Sequence, residues 1–220
     1  MATSVAAPST RETTGRPSPA PWYRDRNRQI AVAAIVAALA ALVVWFVIAS
    51  ARRKEDFAAR SLSEARATAE AGNLPLASSE LQKVIQTYKG TDAASEALIT
   101  LNQVRLINGQ GELAAVGLRD FLASNPPKQF QAPANGLLGA ALENSRKWSD
   151  AGDAFSHASD VADLDYLKAR YLIDAGRTYT LGGKKDKAAA AYRTIIEKYP
   201  KSTSLTEAKV RLAELTGGKM

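Results

Sequence analysis

Two patterns of apolar residues divide this chain. From Ile30 to Ala49 they run unbroken (IAVAAIVAALAALVVWFVIA), with no charge, no Gly and no Pro. A helix rises about 1.5 Å per residue, so twenty residues reach roughly 30 Å, the hydrocarbon thickness of a bilayer. Helices of soluble domains keep a polar face. This segment has none, and a transmembrane helix over 29–51 is expected. A cleavable signal peptide is the alternative, with Ala49-Ser50-Ala51 as its cleavage point. Signal cores are shorter, about 7–15 residues, and follow a short basic stretch. Trp45 and Phe46 sit inside the run, so Trp22 and Tyr23 suit an interfacial belt better.

Beyond the apolar run, residues recur at a spacing of 37. Ala77, Ala114, Ala151 and Ala188 align, followed four residues on by Leu81, Leu118, Phe155 and Tyr192. Three further on stand Val84, Phe121, Ala158 and Ile195, and five before each Ala stand Gly72, Gly109, Arg146 and Gly183. Upstream, Leu101, Leu138 and Ala175 align, beside Asn102, Gly139 and Gly176 and then Arg105, Leu142 and Tyr179. Each column has a physical reason. Ala lets two helices approach, and a large residue one turn on fills the gap between neighbours. Gly before the helix makes a tight turn that often needs φ > 0. Gly139 and Gly176 inside helices cost about 1 kcal/mol each against Ala, so a packing requirement is expected there. A hairpin of this kind hides its apolar face only by stacking on copies of itself.

These residues resemble the tetratricopeptide repeat family. The best units are Leu138-Gly139 … Leu142 … Ala151 … Phe155 … Ala158 and Ala175-Gly176 … Tyr179 … Ala188 … Tyr192 … Ile195 … Pro200. The resemblance covers 57–216. It implies an all-α fold: one N-terminal transmembrane helix, then a solenoid of about four helical hairpins and a capping helix. The family's unit is 34 residues, and the three extra residues are expected in the Asn125–Phe130 and Asp160–Asp165 loops. The expected helices are 24–68, running from the anchor into the first repeat with a break near Arg52 as the alternative, then 75–88, 92–107, 111–124, 131–145, 148–159, 164–181, 185–198 and 203–216. No strands are expected. Residues 1–28 read as a disordered Pro-rich basic tail, 52–56 as a basic juxtamembrane linker and 217–220 as a C-terminal tail.

Charge changes one part of this picture. The formal net charge of +7 suggests a nucleic-acid ligand at first. However, residues 1–56 carry eight Lys/Arg against four Asp/Glu, and the remainder 21 against 18. Much of the excess flanks the apolar helix, so no nucleic-acid partner is expected. The flanks tie for orientation: Arg11, Arg16, Arg24, Arg26 and Arg28 before, Arg52, Arg53, Lys54, Arg60 and Arg66 after. Large domains translocate largely regardless of charge, which favours the short tail inside and the repeats outside. The absence of cysteine fits that side.

Candidate chemistry is sparse. Without cysteine there is no thiol nucleophile or thiolate metal site. The single histidine, His157, follows Asp153 by one helical turn, which reads as a solvated face rather than a base with its orienting carboxylate. Gly182-Gly183-Lys184-Lys185 lacks the spacing of a phosphate loop. No enzyme, cofactor or metal is expected. In tetratricopeptide proteins the first helices of successive units line the concave face. By that resemblance Ile99, Gln103, Leu106, Glu143, Arg170, Ile173, Arg177 and Thr180 form a candidate partner groove, with Tyr166 and Tyr171 as contact aromatics.

The layout of tail, anchor, brief basic segment and weak repeats is also similar to the ancillary subunit family of the bacterial Sec translocon, the YfgM-like proteins. That resemblance rests on Ile30–Ala49, Phe57–Ala71 and the two late repeats. It implies a single-pass inner-membrane protein with periplasmic repeats, whose partners are translocon subunits, chaperones or their clients, with homo-oligomers as an option. An envelope scaffold for division or outer-membrane assembly and a cytosol-facing adaptor are the competing readings.

Overall fold

Helix-forming composition and paired-helix spacing produce the expected result. A computed structural model describes residues 26–218, and among these every regular element is an α-helix. In chain order they are α1 (Arg26–Glu70), α2 (Leu74–Thr87), α3 (Asp92–Ile107), α4 (Gly111–Ala123), α5 (Lys128–Asn144), α6 (Trp148–Val161), α7 (Asp165–Leu181), α8 (Lys185–Lys198) and α9 (Leu205–Thr216). The chain divides into two compact units at Ser50/Ala51. The proposed tail through residue 25, with Trp22 and Tyr23, lies outside the described residues, as do 219–220. Arg26–Arg28 belong to α1.

The first unit is the N-terminal part of α1. Its apolar side chains are exposed along their length, including Ile35, Leu39, Val43 and Phe46. The helix is long and apolar enough to cross a bilayer. It does not break at Arg52.

The second unit is a stack of four hairpins: the C-terminal part of α1 with α2, α3 with α4, α5 with α6, and α7 with α8. α9 packs on α8. Ala77, Ala114, Ala151 and Ala188 are fully buried, and Leu81, Leu118, Phe155 and Tyr192 one turn later are buried with them. Turns within the hairpins obey one rule. Gly72, Gly109, Arg146 and Gly183 all have positive φ, at 83°, 73°, 56° and 70°. In each, the next residue's N–H closes the end of the first helix: Asn73 to Thr68, Gln110 to Arg105, Lys147 to Leu142 and Lys184 to Tyr179. This is the six-to-one bond of a Schellman ending.

The helical glycines of α5, α6 and α7 stand where an aromatic ring presses on the backbone. A Cβ on Gly139 would lie 2.8 Å from the Phe155 ring, and one on Gly176 would lie 2.4 Å from that of Tyr192. The same contact joins Gly136 to Tyr171 and Gly152 to Tyr179. Tyr171, expected as a contact aromatic, is thus a packing residue.

The three extra residues per unit do not sit in the loops. Residues 124–127 and 162–164 are short connections, and the first helices α5 and α7 have 17 residues each. The cause is local. Pro127, at φ −49°, precedes the helix at its N-cap, and the Phe130 N–H donates to its carbonyl at 2.9 Å, so residues 128–130 wind into α5.

The core forms two clusters. The smaller joins α1 to α3 through Ala58, Leu62, Ala65, Leu81, Val84 and Leu101. The larger runs from Ile99 to Leu212. Where they meet, α3 presents the buried Asn102 to Gly117 of α4. Its amide donates to the Leu98 carbonyl at 2.9 Å and its oxygen accepts from Arg105 at 3.0 Å.

Candidate functional site

The predicted groove residues fall into two groups. Ile99 and Ile173 are not on an open face. They are 8 % and 5 % exposed and belong to the large core. They share the 37-residue column with the buried Leu62 and with Gly136, whose missing side chain makes room for Tyr171. This column packs helix on helix. Leu106 is half-buried and leans on the same core. Gln103, Arg170 and Thr180 are exposed, and Glu143 and Arg177 partly so.

The structure joins Glu143, Arg170 and Arg177 into one network on α5 and α7. Arg177 forks onto Glu143: Nη1 bonds one carboxylate oxygen, and Nη2 the other at 2.8 Å. Asp174 completes the set, 3.5 Å from Arg177 and 3.6 Å from Arg170. The hydrogen bond to Glu143, more than any other effect, raises the Arg177 pKa above its already high value. Burial pushes Asp174 upward, and the two arginines counter this only in part. A two-pronged Arg–carboxylate contact fixes orientation as well as distance. This network locks two neighbouring first helices in register. On the first repeat Arg66 acts likewise, donating to Glu96 at 2.7 Å and Thr100 at 3.2 Å.

Two clefts open on this face. Gln103 lines one of about 310 Å3 with Arg66, Leu74, Val104 and the exposed Ile107. Arg177 and Thr180 line another of about 300 Å3 with Leu181, Tyr192, Arg211 and Leu215. Between and beside them the charged side chains bond one another, so the face offers apolar pockets framed by fixed polar bridges.

On the opposite side of the hairpins, Asp153 serves structure. It accepts from the Tyr179 hydroxyl at 2.6 Å and from Lys187 at 2.8 Å, joining α6, α7 and α8. Ser156 approaches the same hydroxyl at 3.3 Å. Partial burial opposes ionisation, but the bonds from Lys187 and Tyr179 hold the Asp153 carboxyl below its ordinary value. His157 is exposed. Among the described residues, no group of three or more His, Cys, Asp or Glu is placed to hold a metal ion.

Sequence reasoning missed one contact of consequence. Glu55 of α1 accepts the N–H groups of Asp92 and Ala93 at 2.9 and 2.8 Å, capping α3 from another helix. The 37-residue spacing of Glu55, Asp92 and Gln129 was the available signal, since Gln129 in turn donates to Asp92 at 2.8 Å. A cleft of about 520 Å3 was also missed. It lies beside the α2–α3 and α4–α5 connections and is lined by Ile85, Leu98, Phe121 and Pro126 among others.

Comparison with known proteins agrees with this architecture. Solved repeats similar in shape include the nearly identical TPR-like repeats from Podosopora anserina assigned to a kinesin light chain. They have a TM-score of 0.56 at 13 % identity and cover 72 % of this chain and 85 % of that one. A single-substitution variant of the same repeats gives 0.55 at 14 % identity, covering 72 % and 84 %. At such identities the likeness concerns fold alone. No curated protein sequence matches the chain. A tetratricopeptide repeat profile matches residues 172–202, the α7–α8 hairpin. The profile of the tetratricopeptide repeat-like domain matches residues 47–175, more than half of the sequence. The chain therefore belongs to the tetratricopeptide repeat-like domain family, whose folds typically act as scaffolds for protein–protein interaction.

Proposed function

We propose that this protein is a membrane-anchored, non-catalytic interaction module that holds a protein-docking surface at the extracytoplasmic face of a bacterial cell membrane. The observation that carries the reading is the pairing of an exposed apolar helix of bilayer length with a helical-repeat stack whose first-helix face offers clefts at Gln103 and Thr180. Confinement to a surface raises the effective concentration of a weak groove for partners that share that surface. The layout resembling the YfgM-like proteins favours the Sec translocon, with its chaperones and clients, as the partners. The fixed Glu143–Arg177 bridge sets the width of the face, and Gln103, Ile107 and Thr180 make the contacts.

A photo-crosslinking residue at Gln103 or Thr180, in the full chain in its native membranes, tests this. Crosslinks to translocon subunits or chaperones, absent when the same residue replaces Arg193 on the outer helix α8, are the expected result. Crosslinks only to division or outer-membrane assembly machinery would replace the partner with an envelope scaffold. Protease protection in intact and permeabilised cells reads the side of the membrane. A repeat domain shielded on the cytosolic side would overturn the extracytoplasmic placement.

A further inference from the structure

The two edges of the first two repeats differ in charge. One edge is formed by the start of the second unit and by the α2–α3 and α4–α5 connections. Lys54 donates to the carbonyl of Lys89 at 2.7 Å, and Glu55 caps α3 beside it. Arg52, Arg53, Lys54 and Lys89 are all exposed there. Three acids stand among them and are outnumbered: Glu55 is bonded to α3, Asp92 to Gln129, and Asp56 is exposed. The opposite edge holds the turns at 71–73 and 108–110. These turns contain no charged residue; Glu70 flanks the first, and Glu112, paired with Lys147 at 3.5 Å, flanks the second. α3 spans the two edges with 16 residues, about 24 Å.

The basic edge is also where the 520 Å3 cleft opens. Its floor is Ile85, Leu98, Phe121 and Pro126, with Lys89 and Ser124 at the rim. Phe57, one turn beyond Arg53, is 57 % exposed.

Covalent reach places this edge. The apolar run ends at Ala49, and four residues join Ser50 to Lys54. Even fully extended they span about 14 Å. A membrane that holds Ile30–Ala49 must therefore lie close to Lys54 and Lys89, whatever the direction of the helix.

We propose that the edge formed by Arg53, Lys54, Lys89 and the adjoining apolar cleft is a second membrane contact, resting on anionic lipid headgroups. This deepens the anchored reading and rests on it. Charge selects the occupant. Basic side chains near an anionic surface each strengthen its hold about fivefold. The uncharged turns about 24 Å away hold no comparable attraction for such a surface. The contact would keep the first two hairpins at the membrane and leave the later repeats free to dock partners.

The cysteine-free chain makes the test direct. Single cysteines replace Ser124 on the basic edge, Gln110 on the opposite edge and Val36 in the apolar helix, each carrying a fluorophore. The full chain is reconstituted in vesicles of equal parts phosphatidylcholine and phosphatidylglycerol, or of phosphatidylcholine alone, with headgroup- or acyl-borne quenchers. The expected result is strong headgroup quenching at Ser124 and weak quenching at Gln110, only when phosphatidylglycerol is present. High salt, or Lys54→Gln with Lys89→Gln, should remove most of it, and the salt series needs no variant beyond the labelled one. Equal quenching at both edges, or quenching at Ser124 indifferent to lipid charge, overturns the contact while acyl quenching at Val36 upholds the anchor. Loss of quenching at Val36 overturns the anchor, and the contact with it.

Discussion

Two positions show how single residues are constrained where the backbone meets a ring or turns at positive φ. Gly176 has no room for a methyl group: its Cβ would sit 2.4 Å from the Tyr192 ring, which is 1 % exposed and has no free space to move into. Gly176→Ala should therefore destabilise the domain by about 1–3 kcal/mol in denaturant titration, although alanine is the better helix former. Tyr192→Leu on that background should recover part of the loss. Arg146 tests the opposite case. It holds φ +56° in a column otherwise filled by glycine. A side chain in that region costs roughly 1–2 kcal/mol, and glycine loses part of this advantage to its unfolded-state entropy. Arg146→Gly should raise stability by about 0.5–1 kcal/mol, visible as a higher melting temperature. Both glycine columns were readable before the structure, since their meaning is local backbone geometry or close approach. The fates of Ile99 and Ile173 were not. Helical spacing tells which residues share a face, but not whether a neighbouring helix covers it.

Elements are joined by polar clasps set at about one repeat's separation. Asp153 reaches Lys187 and Tyr179, and Glu143 reaches Arg177. The Asp153 clasp has a pH signature. Its carboxyl is held below the ordinary value of 3.8, so the folded state binds that proton less readily than the unfolded chain. Its contribution is complete above that value and disappears as pH falls through the lowered one. Asp153→Asn should thus flatten the loss of stability below pH 3.8 while lowering stability at neutral pH, read by denaturant titration at several pH values. Asp174 works in the other sense. Burial raises its carboxyl, so the cost of ionising it appears as pH climbs above the ordinary value. Helix positions were legible to within a few residues because apolar period, glycine turns and prolines agree. The clasps were not, because partners about 34 residues apart meet only after neighbouring hairpins have stacked.

For the whole molecule, the division of the core matters most. The buried residues of the cluster joining α1 to α3 are Ala, Leu and Val alone, whereas the cluster beyond it also holds Phe121, Phe155, Tyr179 and Tyr192. Stability in such stacks is close to a sum of units and nearest-neighbour contacts. Amide exchange should accordingly be faster in α2 than in α6 and α8, and hydrogen-exchange mass spectrometry of the full chain would show it. Equal protection throughout would mean that the buried Asn102 does not separate the two regions. Apolar run length and a 37-residue period were enough to establish an all-helical chain with a bilayer-length helix and stacked hairpins, because both features are repeated along one dimension. Packing in three dimensions decided which first-helix residues stay open, that Glu55 caps a helix 37 residues away, and that Lys54 meets Lys89 at one edge of the first two repeats. These properties depend on which neighbour arrives at each side chain, and a linear pattern holds no record of that.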